Sequence, residues 1–251
     1  MKYSNLAPSL TIGLLVLCVP VSVVFSDDRA AGTKTEQSAS GGTVPKYNFP
    51  KRGNPGVRLG GGARGVSKEF TLAVLSPDHI GLTVRERPAL YWYVSKATPY
   101  PVVFTLIDAD ADKPVVEARL KPPSQHGVQR IRLGDHGVAL SPNVHYQWFV
   151  ALAVDPARPS SDIIAGGVIE RMEPDKELSS KLAGAKGADA LRLYAEAGLW
   201  YDALETVSDL VDGGPAEKNF RKQRAALLQQ VGLSEIAAYD LRDEAARLPG
   251  K

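Results

Sequence analysis

The stretch YAEAGLWYDAL, residues 194–204, decides the fold of the C-terminal part of the chain, because a degraded copy of it follows 34 residues later. A period of 34 residues is that of the tetratricopeptide unit, a pair of helices joined by a tight turn. The two copies align without a gap at six pairs, namely Leu193 with Leu227, Gly198 with Gly232, Leu199 with Leu233, Ala203 with Ala237, Val207 with Leu241 and Pro215 with Pro249. The repeat therefore predicts two successive helical hairpins.

Glycine and alanine mark special positions in these hairpins. Gly198 and Gly232 fall where each hairpin turns, and the end of a helix needs a residue there that tolerates left-handed dihedral angles. Ala203 and Ala237 are small residues at the places where we expect the paired helices to press together. Arg224 departs from the repeat pattern, because it occupies a place that is normally apolar.

Residues 69–172 show the alternation of apolar and polar side chains that is typical of β-strands. The alternating runs are short, as at residues 90–94, 116–120 and 130–133, and proline, asparagine or aspartate turn signals separate them. About eight such strands at this spacing predict a β-sandwich.

Two aromatic features favour an immunoglobulin-like sandwich. Tyr146 follows the turn signal at residues 141–143 and begins a strand whose inner face also carries Trp148. This is the arrangement of a tyrosine corner, in which the hydroxyl group bonds back to the backbone just upstream. We expect Trp92, on a central strand, to fill the core together with Trp148.

The predicted fold class is α+β multidomain, with an all-β immunoglobulin-like sandwich at residues 69–172 and an all-α tetratricopeptide-like helical region at residues 173–251. Two repeats are fewer than the three that usually form a free-standing stack. We therefore expect the hairpins to pack on the sandwich, with an extra helix over residues 175–185. With 251 residues, 44% of them hydrophobic and 23% charged, the chain is long enough for such a globular body.

Residues 1–26 have the order of a secretory signal peptide. A single charged residue, Lys2, precedes an apolar run at residues 10–25, and the small residue Ser26 follows. The run is shorter than the ~20 apolar residues of a membrane-spanning helix, so we favour cleavage after Ser26 over an uncleaved anchor. Cys18 is the only cysteine, which excludes disulfides, zinc–cysteine sites and cysteine nucleophiles from the cleaved product.

Residues 27–68 are predicted to form a disordered, basic linker rich in glycine and proline. They contain 8 basic and 3 acidic residues, and such a segment cannot bury enough apolar surface to fold alone. It would remain a solvated tether, or lie along the mildly negative body or against anionic envelope polymers. The run GGGARG at residues 60–65 formally matches a dinucleotide-binding pattern, but no predicted strand feeds it and no predicted helix follows, so we reject that function.

An ordered set of short motifs runs along the chain. They are PGVR at residues 55–58 with the glycines of residues 60–65, GLTVRERP at residues 81–88 leading to the aromatic run YWY at 91–93, IER at 169–171, and GLWYDAL at 198–204. Together they resemble a bacterial family, domain of unknown function 928, over most of residues 50–240. The resemblance implies an exported protein without an assigned activity and supplies no catalytic residues. The chain departs from the family pattern in having Ala63 and no cysteine after the glycine run, so any role of that cysteine is absent.

No constellation of catalytic or metal-binding residues emerges from the sequence. The four histidines are isolated, a metal pair of His126 and His136 lacks recognisable ligand spacing, and the motifs HExxH and GxSxG do not occur. The run DADAD at residues 108–112 resembles the start of a calcium loop, but Lys113 stands where that loop needs glycine. We expect a charged hairpin turn there, and a solvated strand end at residues 85–87.

These observations predict an exported, non-enzymatic binding or scaffold protein of the cell envelope, periplasmic or extracellular. The alternative is an envelope hydrolase with an unfamiliar active site. We expect no catalytic residues, no cofactor and no metal, another envelope or exported protein as partner, no nucleic acid, and no stable membrane span after signal cleavage. Arg192 and Tyr201, on the helical hairpins, are the candidate residues of a protein-interaction surface.

Overall fold

Strands come before helices in the part of the chain that the structure describes. This is a computed structural model, and it describes residues 44–50, 58–59, 70–155, 157–213 and 217–242. The predicted signal peptide and the GGGARG run lie outside these ranges. The eight strands are β1 Leu72–Val74, β2 Gly81–Thr83, β3 Ala89–Val94, β4 Val102–Asp108, β5 Lys113–Leu120, β6 Gly127–Arg132, β7 His145–Leu152 and β8 Ile163–Arg171.

The strands form two sheets. A three-stranded sheet has the order β1-β3-β6, and a five-stranded sheet has the order β2-β8-β7-β4-β5. All neighbouring strands are antiparallel except β2 and β8, which run parallel, so the larger sheet is mixed. Short 3-10 helices at Leu133–His136 and Pro159–Ser161 lie between strands. Together with the helices, these sheets confirm the α+β class.

The predicted tyrosine corner is present. The backbone N–H of Ser141 donates a hydrogen bond of 3.1 Å to the Tyr146 hydroxyl. From Tyr146 onward, alternate residues of β7 are buried, and Trp148 is completely so. Trp92, on the central strand of the smaller sheet, belongs to the same core cluster. The prediction that both tryptophans fill one core is confirmed.

Within the described residues, five α-helices follow the last strand, and successive helices contact one another. They are α1 Lys176–Gly184, α2 Gly187–Glu196, α3 Trp200–Asp212, α4 Glu217–Gln230 and α5 Ser234–Asp240. The predicted extra helix is α1, which Asp175 caps by accepting a hydrogen bond of 2.7 Å from the Leu178 amide. Gly198 and Gly232 adopt φ angles of +74° and +76°. The predicted left-handed turns are therefore confirmed.

The helices and the sheets share one core. The Trp200 indole, at the start of α3, donates a hydrogen bond of 2.8 Å to the Leu75 carbonyl just after β1. All six residues of β3 are buried, because one of its faces meets the common core and α3 packs against the strand. The strands and the helices accordingly belong to one compact unit.

Parts of the predicted linker are ordered on this body. Tyr47 is only 2% exposed, and the Asn48 amide donates a hydrogen bond of 3.0 Å to the Ala195 carbonyl at the end of α2. Leu59 pairs antiparallel with Gly166 of β8. Disorder is therefore wrong for residues 44–50 and 58–59, where buried aromatic area and backbone hydrogen bonds offset the entropy of ordering. These residues follow the alternative in which the segment lies along the body.

Candidate functional site

A cleft opens where β6 and the loop before it face helices α3, α4 and α5. Its volume is about 320 Å³, at the lower end of the range of ~300–1,000 Å³ typical of small-molecule sites. The strand side contributes Tyr91, Ser124, Gln125, His126, Val128, Gln129 and Arg130, and the helix side contributes Ser208, Val211, Asp212, Arg221, Arg224 and Tyr239. We call it the sheet–helix cleft.

The regular spacing of strands and helices brings these side chains together. Arg130 lies opposite Tyr91 on the neighbouring strand β3, and directly opposed residues project from the same face of a sheet. On α3, Ser208 and Asp212 are four residues apart, so they share one face of the helix. The same rule places Arg221 and Arg224 on one face of α4.

Arg130 is held between two carboxylates and an aromatic ring. Its Nη1 lies 2.9 Å from Oδ1 of Asp209, and its Nη2 lies 2.8 Å from Oδ2 of Asp212. The guanidinium group also lies 5.1 Å from the centroid of the Tyr91 ring, within the range of a cation–π interaction. The three contacts fix the guanidinium on the wall of the cleft.

Arg224 carries a charge at a normally apolar place in the repeat, and its contacts explain why. Its Nε and Nη2 each lie 2.7 Å from a carboxylate oxygen of Asp240, and its Nη1 donates a hydrogen bond of 3.2 Å to the Ser208 hydroxyl. Burial alone would lower the pKa of Arg224, but the hydrogen bonds and charge of Asp240 outweigh it and the pKa is raised. The residue is 4% exposed, so the pair is a buried, bidentate ion pair.

Tyr91 supplies a buried hydroxyl group without a hydrogen-bond partner among the described residues. Burial raises the pKa of Tyr91, and the positive charge of Arg130 opposes part of the rise. The Ser208 hydroxyl also lowers the pKa of Tyr91, yet the two groups do not meet hydrogen-bond geometry. Tyr91 lines the cleft with other parts of its side chain, because its hydroxyl oxygen is buried.

Aromatic rings close one side of the cleft. The Tyr239 ring contacts Tyr93 edge to face at a centroid distance of 5.4 Å, and His126 at 5.6 Å. A Cβ atom at Gly127 would lie 2.6 Å from the Tyr239 hydroxyl. The Tyr239 side chain therefore packs directly on the start of β6.

A second polar cluster joins β2 and the following loop to α3. Oδ2 of Asp202 accepts a hydrogen bond of 3.1 Å from the Val84 amide, and Oε2 of Glu205 accepts one of 3.0 Å from the Ala89 amide. Nε of Arg85 lies 3.3 Å from Oδ1 of Asp202, although the two groups are not aligned for a hydrogen bond. Burial raises the pKa of Asp202 to about 6, against the opposing effect of Arg85. We call these side chains, Arg85, Asp202 and Glu205, the acid latch.

The family model described as Domain of Unknown Function (DUF928) matches residues 59–241 of the chain. The chain belongs to the DUF928 family. No curated protein matches the DUF928 chain. A multi-domain immunophilin from Arabidopsis thaliana is similar at 8% identity and a TM-score of 0.17, over 78% of this chain and 98% of that one.

Two of the motifs that carry the resemblance meet in the DUF928 fold. GLTVRERP, residues 81–88, contains β2 and lies against GLWYDAL, residues 198–204, at the start of α3. The Tyr201 ring lies so close to Gly81 that a Cβ atom there would be 2.5 Å from the ring, and Asp202 bonds to the Val84 amide. These motifs dock the helices on the sheets.

The two residues of the predicted interaction surface have different environments. Arg192 is exposed on α2 and pairs with Glu196 on the same helix at 3.1 Å. Tyr201 is completely buried. Its hydroxyl accepts a hydrogen bond of 2.9 Å from the Trp148 indole and lies 3.0 Å from the Val168 carbonyl, so the side chain is attached to the larger sheet. The surface prediction is therefore wrong for Tyr201, which is a packing residue.

The DUF928 structure also bears on other predictions made from the sequence. The DADAD run forms the β4–β5 hairpin turn, in which Oδ1 of Asp108 accepts from two backbone amides, so the predicted turn is confirmed. Of the predicted solvated strand end at residues 85–87, Glu86 and Arg87 are exposed. Arg85 contacts two carboxylates, so the prediction is wrong for that residue alone. Over the described ranges, no three histidine, cysteine, aspartate or glutamate side chains are grouped to hold a metal ion, and no helix has the length and apolar character to cross a membrane.

The sequence did not reveal the sheet–helix cleft. Arg130 and Asp212 are 82 positions apart, and Arg224 has its partner on the next helix. The one local signal was Arg224 itself, a charge on the apolar face of the repeat. A buried arginine needs a carboxylate nearby, but the sequence does not say which of the helices supplies it.

Proposed function

We propose that this protein is a non-enzymatic binding protein of the cell envelope and that the sheet–helix cleft is its recognition site. The compensation of charge inside the cleft carries the proposal. Arg130 faces two aspartates, and Arg224 and Arg221 share Asp240, the latter at 3.7 Å. Three guanidinium groups that line the cavity are thus paired with three carboxylates, of which Asp212 also lines it.

This arrangement suits recognition better than catalysis. A catalytic acid, base or nucleophile works best when its pKa lies near the working pH. In the cleft, the pKa values of Tyr91 and Arg224 are both raised from ordinary values that already lie well above neutrality. Both side chains therefore keep their protons at neutral pH and serve as fixed hydrogen-bonding groups.

The acid latch is the observation that favours the alternative, an envelope hydrolase. Asp202 has a pKa of about 6, within the range in which a general acid or base operates. Its side chain is completely buried, however, and one of its oxygens already accepts the Val84 amide. A group that joins two elements and has no open face supports the fold more directly than it supports a reaction.

We propose that the two sheets are an immunoglobulin-like sandwich and that α2–α5 are two tetratricopeptide-like repeats. The tyrosine corner supports the first assignment. The second is supported by glycine turns 34 residues apart and by the complete burial of Ala203 and Ala237 at matching places. Both modules commonly serve as binding scaffolds. We further propose export through the N-terminal signal, to the periplasm or the exterior, and another exported or envelope protein as partner.

A capture experiment tests the function. The full chain is immobilised, exposed to envelope extract and compared with a Gln125→Trp variant, which places a bulky ring at the cleft, and with Gln147→Trp as a matched control on an exposed position of β7. We expect Gln125→Trp alone to lose the partner, and the captured partner to be recovered intact. Equal capture by both variants would remove the cleft from recognition, and cleavage of the partner would establish the hydrolase.

A further inference from the structure

Strand β5, Lys113–Leu120, leaves one edge of the larger sheet open. It is last in the strand order and pairs only with β4 among the described residues. Val116, Ala118 and Leu120 are half-buried, whereas the two residues between them are exposed. An uncovered edge strand offers unpaired backbone donors and acceptors, which another strand can join.

One backbone hydrogen bond shows which residues of β5 have free backbone groups. The Ala153 amide donates a hydrogen bond of 3.0 Å to the Pro101 carbonyl and so extends the β4–β7 pairing. Bonding direction alternates along a strand, so odd-numbered residues of β4 bond to β7 and even-numbered ones bond to β5. Their partners at positions 116, 118 and 120 point back at β4. The amide and carbonyl groups of Glu117 and Arg119 therefore point outward from the sheet edge.

The features that block pairing are confined to the first half of β5. Proline and β-bulges commonly protect an edge strand from other strands. Pro114 has no N–H group to donate, and the register with β4 shifts between Pro114 and Val116, where Val115 is the extra residue. From Val116 to Leu120 the register is continuous. A regular edge at residues 116–120 therefore remains open.

The charged side chains on this edge are available to a partner. Glu117 and Arg119 form no ion pair within the described part of the chain, and the residues opposite them on β4 are the uncharged Thr105 and Val103. Because they are two positions apart on a strand, the two charged side chains lie on the same face of the sheet. The open edge thus carries one negative and one positive group side by side.

This charge pattern is self-complementary in one antiparallel register. Within residues 116–120, a hydrogen-bonded pair must join outward-pointing residues of both strands. Pairing Glu117 with Glu117, or Arg119 with Arg119, sets like charges opposite each other, which is destabilising. Pairing Glu117 with Arg119 forms the same favourable contact twice, on either side of a two-fold axis through Ala118. This register also sets Val116 opposite Leu120 on the other face.

We propose that β5 pairs antiparallel with β5 of a second copy of this chain and joins the two larger sheets into one continuous sheet. Each hydrogen-bonded pair exchanges two backbone bonds, so the two Glu117–Arg119 pairs add about four. A patch that is complementary to itself closes at the dimer. Strand β5 supplies none of the residues that line the sheet–helix cleft, so this surface is separate from the proposed recognition site.

Sedimentation velocity of the full chain tests the dimer at concentrations around the micromolar Kd expected of a small interface. We expect a reversible equilibrium between monomer and dimer. Glu117→Arg should weaken it at least about tenfold, because both pairs become arginine opposite arginine, and Arg119→Glu should do the same with glutamates. Glu173→Arg, a matched charge reversal at an exposed position outside β5, should associate as the parent does.

Restoring the charge pairs makes the experiment specific to the register. The double variant Glu117→Arg with Arg119→Glu again sets opposite charges in both pairs and should dimerise like the parent. A mixture of the two single variants should form heterodimers, because one strand then carries two arginines and the other two glutamates. A parent that stays monomeric, single variants that dimerise like the parent, or a mixture that stays monomeric would each overturn the proposal.

A cysteine on the two-fold axis gives a second, covalent readout. In a Cys18→Ser background, Ala118→Cys opposes its own copy in a non-hydrogen-bonded pair with Cα atoms ~4.5 Å apart, within the range that a disulfide bridges. The two copies of Val116→Cys would lie roughly 14 Å apart, beyond that range. We expect oxidation to cross-link Ala118→Cys alone. Cross-linking of both variants, or of neither, would contradict the register.

Discussion

Replacing Tyr201 by phenylalanine tests how the helices are attached to the sheets. The tyrosine projects from α3, accepts a hydrogen bond of 2.9 Å from the Trp148 indole on β7, and lies 3.0 Å from the Val168 carbonyl on β8 and 3.1 Å from the Ser76 hydroxyl. Phenylalanine keeps the ring and removes only the oxygen. The change therefore isolates the hydrogen bonds from the packing.

The expected loss follows from the groups left behind. The Trp148 side chain is completely buried, so its indole N–H would lose its acceptor without access to water. A buried donor stranded in this way costs about 1–3 kcal/mol, and the weakened contact to the Val168 carbonyl adds to it. We expect Tyr201→Phe to lower the free energy of unfolding by about 2–3 kcal/mol. For a body of this size, that corresponds to a fall in Tm of roughly 4–12 °C.

Denaturant unfolding and calorimetry measure the loss, with Tyr100→Phe as a control at a tyrosine that is 37% exposed. The control should change stability by less than about 0.5 kcal/mol. A double-mutant cycle with Trp148→Phe should show a coupling of about 1 kcal/mol or more. A Tyr201→Phe protein as stable as the parent would refute the reasoning.

Three further perturbations probe the latch, the close packing and the buried ion pair. Gly81→Ala should lower the free energy of unfolding by about 1–3 kcal/mol, because the new Cβ would lie 2.5 Å from the Tyr201 ring. The control is Gly184→Ala, where a Cβ would meet nothing within 4 Å, and it should be neutral or stabilising. Urea unfolding compares the two variants. The pKa of Asp202 is about 6 in the folded state against an ordinary 3.8, so the folded protein binds a proton at this carboxyl group more tightly than the unfolded chain does. The resulting contribution to the free energy of unfolding is complete below pH 4 and is lost as the pH rises through 6. Asp202→Asn should therefore remove up to about 3 kcal/mol of stability change between pH 4 and 7, and parallel pH profiles for parent and variant would contradict this. Arg224→Met should cost about 3 kcal/mol by removing the bidentate partner of the buried Asp240 carboxylate, and Asp240→Asn added to it should recover part of the loss, both measured by thermal unfolding.

The sequence predicted most reliably the features that depend on local periodicity. Alternation around Tyr146 placed β7 and its buried face correctly, because side chains in a strand alternate regardless of what packs above them. The repeat placed the turns at Gly198 and Gly232, because few other residues adopt positive φ at a helix end. The first feature depends on about ten consecutive residues, and the second on a repeat of 34 residues.

Long-range pairings were out of reach for the same reason. Val84 and Asp202 are 118 positions apart, and no local sequence pattern predicts that they are in contact. Tyr201 shows how the error arises: in an amphipathic repeat a tyrosine suits a surface as well as a core, and only docking on the sheets decides between them. The parallel pairing of β2 with β8 likewise depends on tertiary contacts rather than on local pattern.

Helix α3 serves two purposes along its length, and this division separates stability from recognition. Its first five residues, Trp200–Leu204, are all buried, whereas Ser208 and Asp212 face the sheet–helix cleft. At 1.5 Å per residue, Tyr201 and Ser208 are about 10 Å apart along the helix axis. The first turn fixes the helix, and its rigidity then positions the polar groups of the last two turns against β6. Substitutions at the first end should therefore change stability, substitutions around Tyr91 should change binding, and the two effects should add because their side chains share no partner.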